Sequence, residues 1–422
     1  MPATTSPPQH RIHTLDIVRG VAVMGILAMN IISFGLPAAA YVNPPTIGIE
    51  GPADWAAWLF GFLFIDGKMR GLFSLLFGAS MLLVMERAAE RGESATGVHL
   101  RRMGWLLAFG LVHFYCIWSG DILILYAVIG VAAYLFRKES SVSLLSWSIV
   151  LLMMQLLITG GAALGLFAAA GQLSGPAPDP QAAAIWSNMV SGFGVAPGEL
   201  TLEIAIHRGS YDDVFAYRMD ELGSWPFYML FDYGAETLAY FLLGMWALKS
   251  GFLAGTWEDR AYRRVAFICL ALALPAYVLL AYWQWISGFR VEVLFAAQFA
   301  LALLPRPLMV IAMAALIILW TRGGGALTSR ISAAGRAAFT NYLGASIVLT
   351  TLFYGYGLGW YGHLSRTELW GVVLACWAGM LLWSKPWLER FAYGPFEWLW
   401  RSLARGRLQP MRKQAAPVAA HP

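Results

Sequence analysis

Apolar residues in this chain come in long, nearly unbroken runs rather than in the one-sided stripes of a soluble fold. A bilayer hydrocarbon core of ~30 Å takes about 20 residues of helix to cross. Ten segments qualify, at roughly 16–36, 54–86, 101–118, 121–136, 143–170, 225–248, 264–286, 292–320, 336–355 and 368–385. The pattern predicts an all-α fold: a polytopic transmembrane bundle of about ten spans. The second run is too long for one straight helix and is interrupted at Asp66-Gly67-Lys68-Met69-Arg70, which predicts a short outer helix followed by a span. The eighth is broken by Leu304-Pro305-Arg306-Pro307. Proline removes a backbone donor and clashes with the preceding turn, so this run is either one broken span or two half-helices.

Between the fifth and sixth runs lies the longest polar stretch, about 172–224. Its later part, ELTLEIAIHRGSYDDVFAYRMDEL, has helical periodicity and charges of both signs, and is expected to fold over the outer face. The segment FAYGPFEWLWRSLARGR reads as an amphipathic helix on the cytoplasmic surface. Residues 1–10 and 409–422 have the composition of disordered ends. The domain reading is a disordered stretch at 1–10, one transmembrane domain at 11–403, and a basic cytoplasmic tail at 404–422.

Composition supports this class, because 59% hydrophobic and 13% charged residues cannot form an ordinary globular surface. The net charge of +5 would suggest nucleic acid in a soluble protein. Here the basic residues flank apolar runs, so they report topology and exclude that partner. With the N-terminus inside, inner loops and tails hold 21 Lys and Arg, against four in outer loops: Arg208, Arg218, Arg290 and Arg366. That bias predicts ten spans with both termini cytoplasmic, and the lipid bilayer as the constant partner. The first run precedes Ala38-Ala39-Ala40, a passable leader cleavage pattern, yet Asp16, Arg19 and Asn30 in or beside it argue for a retained span. Cys116, Cys269 and Cys376 lie in apolar segments without metal spacing, so no metal is expected. The glycines at 355, 357 and 359 lack the strand context of a dinucleotide motif and read as a turn.

Polar residues inside the apolar runs carry the candidate chemistry, since ionisable groups at membrane depth are costly and mark functional paths. In the first helix eleven residues at ~100° each bring Asn30 within ~20° of Arg19. Asp16, Arg19 and Asn30 therefore share one face. An Asp16–Arg19 ion pair at the membrane border, with Asn30 as interhelical glue, is the structural alternative.

Of seven histidines, only His113 lies deep in a strongly apolar segment, LVHFYCIWSGDILILYA. It stands ~18 Å along its helix from Arg101-Arg102, in the outer half of the bilayer. An interhelical hydrogen bond or general-base work are its two readings. Asp121 either caps the next helix or holds the imidazole tautomer, and the sequence leaves both open.

At the break in the second run, Asp66 and Lys68 read as a solvated rim, and Arg70 as deeper and paired. Asp232 and Glu236, one turn apart, face the same way in the outer half. Arg336 begins the ninth run, with Asn341 following; a helix N-terminus beside an arginine suits a phosphate, although topology alone also explains the charge.

The strings LDIVRGVAVMGILAMNI, GKMRGLFSLLFGAS, RRMGWLLAFGLVHFYCIWSGDILILYAVIG, GRAAFTNYLGASIVLTTLFYGYGLG and YGPFEWLWRSL, spread from Leu15 to Leu403, resemble the YeiB-like membrane family, a domain of unknown function. Over the first few helices, the opening LD-x-x-RG is also similar to the membrane acyltransferases that include heparan-α-glucosaminide N-acetyltransferase. That resemblance implies ten or eleven helices, an acyl group passing from cytoplasmic acyl-CoA to an acceptor across the membrane, and a histidine near the outer end of an early helix serving the acceptor. His113 is the matching position.

The resulting expectation is a bacterial inner-membrane protein using acyl-CoA as co-substrate. His113 and Asp121 would be catalytic. Arg101, Arg102, Arg322 and Arg336 would hold the CoA phosphates, and Asp16, Arg19, Asn30, Arg70, Asp232, Glu236 and Asn341 would line the path to a sugar or other small acceptor. A transporter built on the two broken runs, a non-catalytic scaffold, and a homo-oligomer are the alternatives. Reporter fusions test the topology: both termini are expected to report the cytoplasm, and either one outside overturns it.

Overall fold

The computed structural model describes residues 13–174, 179–190, 192–194 and 198–413. Among these, every regular element is helical except for a single antiparallel bridge between Phe391 and Arg412. α1 (His13–Gly35) and the short α2 (Ala38–Val42) lead to α3 (Pro52–Phe60). A π-helical turn at Gly61–Ile65 and the left-handed Gly67 (φ 68°) then separate α3 from α4 (Lys68–Glu90). α5 (Ala95–Val112) ends in a second π-helical turn, His113–Ile117, before α6 (Leu123–Ala133) and the long α7 (Ser141–Leu173). Next come α8 (Pro180–Val190), α9 (Glu199–His207), α10 (Tyr211–Asp220), α11 (Trp225–Lys249) and α12 (Asp259–Ile286). The chain finishes with α13 (Val291–Phe295), α14 (Arg306–Thr321), α15 (Ala326–Arg336), α16 (Ala338–Phe353), α17 (Arg366–Arg390) and α18 (Pro395–Arg405).

Five helical stretches are long and apolar enough to cross a membrane: α1, Pro52–Glu90, α7, α12 and α17. A sixth appears if Val291–Leu303 and α14, bent by 57° at the Leu304-Pro305 break, are taken as one. The chain is a helical membrane protein. α16 and the stretch Leu123–Phe136 are apolar but shorter than a full crossing. α5 and α11 are continuous helices whose apolar character is lowered by Arg101-Arg102 and by Asp232 and Glu236. Outward-facing side chains on α7 and α12, among them Val142, Leu157, Leu164, Phe267, Leu272 and Leu279, are mostly exposed, making the apolar surface that lipid covers.

Close helix crossings set the interior. α4 and α11 run in the same direction, and a Cβ on Gly78 would lie 2.1 Å from the Phe241 carbonyl oxygen, one on Gly244 only 1.8 Å from that of Leu75. α1 and α15 meet in the same reciprocal way, with a Cβ on Gly20 2.1 Å from the Ile331 carbonyl oxygen and one on Gly335 1.9 Å from that of Asp16. Small residues allow backbones this near, and in apolar surroundings that packing supplies much of the association energy.

Both faces of the bundle are covered as the polar stretches suggest. α9 and α10 fold over the end where α1 finishes: the Ala38 N–H donates to Glu203 (2.9 Å), Arg208 Nε to the Tyr361 carbonyl (2.7 Å) and Gly355 N–H to the His207 carbonyl (2.8 Å). α18 lies across the opposite end, its Trp400 Nε1 donating to the Arg102 carbonyl (3.0 Å).

Two expectations are corrected. Residues 409–413, assigned to a disordered end, return along α18, with Ala392 N–H donating to Met411 O (2.8 Å) and Trp398 Nε1 to Gln409 O (2.7 Å). Residues 1–10 and 414–422 lie outside the described residues. The ninth run does not begin at Arg336, which instead ends α15; Ala337 (φ −102°, ψ 28°) breaks the helix before α16.

Gly244→Leu is expected to destabilise the protein by ~3 kcal/mol or more, because overpacking against backbone has no side chain to displace. Gly160→Leu on α7, where a Cβ meets nothing within 4 Å, is expected to leave the thermal midpoint in detergent unchanged.

His207 makes the α9–α10 cap pH-sensitive. Burial pushes its pKa from 6.5 down to about 4, with the Arg218 charge adding to the shift and a hydrogen bond to the Glu203 carbonyl opposing it. The unfolded cap binds a proton that the folded cap excludes, so stability is full above pH 6.5 and is lost as pH falls toward 4, by on the order of 3 kcal/mol. Protease cleavage within α9–α10 is expected to rise across that window in wild type and to stay flat in His207→Phe.

Candidate functional site

α5 does not simply stop at its apolar end. Its last turn widens so that the Trp118 N–H bonds the His113 carbonyl (2.7 Å), five residues back. Such π-helical turns re-aim side chains and recur at functional sites. Here the turn buries His113 completely and aims it across the bundle. His113 Nδ1 lies 2.8 Å from Asp121 Oδ1 and Nε2 lies 2.9 Å from Ser346 Oγ on α16. The other Asp121 oxygen accepts the Ile124 N–H (2.8 Å), pinning the first turn of α6.

The two roles left open for Asp121 therefore coexist, one per oxygen. With the carboxylate as acceptor, Nδ1 carries the ring proton and Nε2 presents its lone pair to Ser346, the arrangement of a serine–histidine–aspartate relay. The Tyr342 ring packs against the imidazole (5.2 Å between centroids), and its buried hydroxyl has no hydrogen-bond partner among the described residues.

Toward the end of the bundle that α18 covers opens a cavity of about 520 Å³. α1 contributes Asp16 and Arg19, α4 Ser80 and Arg87, α5 His99 and Arg102, α15 Arg336, and α18 Glu397, Trp400 and Arg401; Ile122, Tyr126 and Tyr342 form its deep wall. Arg19 bonds Asp16 (3.2 Å) and Ser80 (2.6 Å), and the Arg102 guanidinium stacks on Trp400 at 4.1 Å.

The N-terminus of α16, expected to suit a phosphate, already holds an anion. Glu397 accepts Phe339 N–H (2.6 Å), Thr340 N–H (3.1 Å) and Thr340 Oγ1–H (2.5 Å), satisfying amides that the helix itself leaves unpaired. Phe339 and Thr340 sit 58 and 57 positions from Glu397, so no local pattern announces this cap.

A second cavity of about 190 Å³ lies toward the other end, lined by Asn30, Tyr41, Asp66, Arg70, Asp121, Asp232, Glu236, Gln298 and Arg306. Its organising charge is Glu236, almost fully buried, with Arg70 at 2.5 Å and Arg306 at 2.6 Å. Arg306 also donates to the Gln298 carbonyl (2.8 Å). Sequence reasoning passed over Arg306, although an arginine between two prolines inside an apolar run was its signal. Tyr41 hydrogen-bonds Asp66. Lys68 is no rim residue: it is buried, donates to the Phe62 carbonyl, and holds its ammonium 3.4 Å from the Tyr277 ring centroid, a cation–π contact.

The cavities approach each other at Ile122, one residue from the Asp121 carboxylate that His113 bonds. Ile122 lines both. A cleft of about 10 Å³, walled by Ile26, Asn30, Asn341, Tyr342 and Ser346 among others, shares Tyr342 with the larger cavity and Ile26 and Asn30 with the smaller.

Other candidates fall elsewhere. Arg322 pairs with Asp259 and donates to the Gly255 (3.0 Å) and Trp257 (2.5 Å) carbonyls beside a separate cavity. Arg101 is exposed and does not line the larger cavity. Asn341 spends its carboxamide on Ala334 O (3.0 Å), Ser384 Oγ (3.3 Å) and Trp383 Nε1 (2.9 Å), which pins α16 to α15 and α17. No group of three or more His, Cys, Asp or Glu among the described residues could hold a metal ion.

Comparison with known proteins gives a consistent family. A model described as protein of unknown function (DUF418) matches residues 247–407. The chain is 34% identical over 403 residues to the uncharacterized protein YeiB of Escherichia coli (strain K12), covering 92% of this chain and 95% of that one. It belongs to the YeiB-like family. The uncharacterized protein YxaH of Bacillus subtilis (strain 168) is 33% identical over 96% of both chains. An uncharacterized 39.9 kDa protein from the amylase 3' region of Bacillus acidopullulyticus is 24% identical over 408 residues. No solved structure matches.

The buried charge cluster yields a stability prediction. Glu236→Gln leaves two buried guanidiniums without their anion and is expected to cost ~3–5 kcal/mol. Adding Arg306→Met to that variant is expected to recover part of the loss, measured as the thermal unfolding midpoint of the purified protein.

Proposed function

We propose that this protein moves an acyl group across a bacterial inner membrane, from cytoplasmic acyl-CoA to a sugar or other small acceptor in the envelope. The observation that carries the reading is the hydrogen-bonded chain Asp121–His113–Ser346 beside the waist between a basic cavity and a smaller polar one. In this reading the bundle has ten spans, the shorter α6 and α16 and the charged α5 and α11 counting among them, with both termini cytoplasmic. The basic cavity then faces the cytoplasm. Arg19, Arg87, Arg102, Arg336 and Arg401 would hold CoA phosphates by charge-assisted hydrogen bonds. The pantetheine arm would run along the apolar wall toward Ile122 and Tyr342.

The acceptor would occupy the smaller cavity among Asn30, Asp66, Asp232 and the Glu236 cluster, whose carboxylates and amides suit a polyhydroxyl or amino group. His113 Nε2 takes the acceptor proton as its oxygen or nitrogen attacks the thioester carbonyl, and returns that proton to the departing thiolate. Asp121 steadies the imidazolium between the two events. Resemblance of the opening helix to membrane acyltransferases supports the same assignment.

Transport is the second reading, favoured by the 57° bend ahead of Arg306 and by two cavities nearly meeting at mid-bundle. One experiment separates the two. Purified protein is given acetyl-CoA with a radiolabelled acetyl group and envelope extract. Wild type is expected to label an acceptor, and His113→Ala to do so ~10²–10⁴-fold more slowly. Equal transfer by both removes His113 from the chemistry, and solute accumulation in proteoliposomes without any acyl donor supports the transporter.

A further inference from the structure

We propose that Ser346 is a nucleophile that carries the acyl group, so that transfer proceeds in two half-reactions through an ester on its hydroxyl. The inference rests on the acyl-transfer reading and replaces its single direct step.

Geometry favours the relay. The cleft at the waist, about 10 Å³, is water-sized, and cannot seat a thioester and an acceptor side by side. Ser346 forms part of its wall, and its Oγ lies 2.9 Å from His113 Nε2, with Asp121 2.8 Å from the other ring nitrogen; Ser346, His113 and Asp121 are all nearly or fully buried. A lone buried serine is usually inert, but one bonded to an imidazole that an acid orients is activated for attack.

The competing structural role is also visible. Ser346 Oγ lies 3.2 Å from the Tyr342 carbonyl one turn back. A hydroxyl has a single proton, so it serves that carbonyl or Nε2, and rotation between them arms the nucleophile. Two further groups fit a developing oxyanion. Asn30 borders the same cleft, its carboxamide with no hydrogen bond to the described residues, and the buried Tyr342 hydroxyl is likewise unpartnered.

In the first half-reaction Ser346 Oγ attacks the thioester carbonyl while His113 takes its proton. The carbon–sulfur bond breaks, and the CoA thiolate leaves with that proton. In the second, the acceptor gives its proton to His113 and attacks the serine ester, whose carbon–oxygen bond breaks as Ser346 regains a proton. Nothing is oxidised or reduced.

The test uses the full chain in lipid nanodiscs with acetyl-CoA labelled in its acetyl group and no acceptor. Wild type is expected to retain up to one acetyl per chain, mapped by mass spectrometry to Ser346, released by hydroxylamine, and chased into acceptor when envelope extract is added. Ser346→Ala is expected to take up no label and to lose acceptor transfer by about a thousandfold or more. Ser346→Cys, which keeps a nucleophile of similar shape, is expected to hold the label as a thioester and so guards against a folding defect in the alanine variant.

The relay is overturned if Ser346→Ala transfers at the wild-type rate, or if rapidly quenched wild type in turnover carries no adduct. Loss of transfer in His113→Ala with full transfer in Ser346→Ala removes the relay and keeps direct transfer. No labelling and no transfer by wild type removes both.

Discussion

Charge buried in a helical bundle must find a partner inside it, and Glu236 is where this chain meets that demand most heavily. The carboxylate accepts Arg70 from α4 and Arg306 from the start of α14, so three helices converge on one anion. An unpaired ion at this depth would cost several kcal/mol, which makes the pairing a condition of assembly more than a gain in stability. The glycine-tight crossing of α4 and α11 brings Arg70 and Glu236 within reach, and the proline break before α14 turns Arg306 inward instead of toward lipid. The smaller cavity is built on this cluster, and Asp121, hydrogen-bonded to His113, borders it.

Much of the architecture was legible because it is local. Apolar run length marks the five long helical stretches, and the bent pair at α14, that can cross a membrane, and the breaks at Asp66–Arg70 and Leu304–Pro307 follow from glycine and proline chemistry. The helical pair in the polar stretch after α7 and the amphipathic α18 show in periodicity alone. Run length had a limit: it joined α15 to α16 at Arg336 because it does not register the break at Ala337 between them.

The site was legible in part, for a similar reason. His113 and Asp121 stand eight residues apart, close enough for sequence to raise their pairing. Ser346 stands 233 positions from His113, and Arg306 70 from Glu236, distances over which a single sequence has no rule. Arg322 and Asn341 show the converse. Their residue types suited a ligand, but neighbouring carbonyls and side chains consume their donors. The α16 N-terminus looked like a phosphate seat until Glu397, from a helix far along the chain, proved to occupy it.

The proposed chemistry depends on a ligand reaching the histidine from the basic side. The most direct measurement is a structure of the protein bound to a non-reactive thioether analogue of acetyl-CoA. Nucleotide phosphates are expected among Arg19, Arg102 and Arg401, with the acyl end against Tyr342 and Ser346 beside His113. Density for the analogue in the smaller cavity, beside Arg322, or with its acyl end remote from His113 would contradict that chemistry.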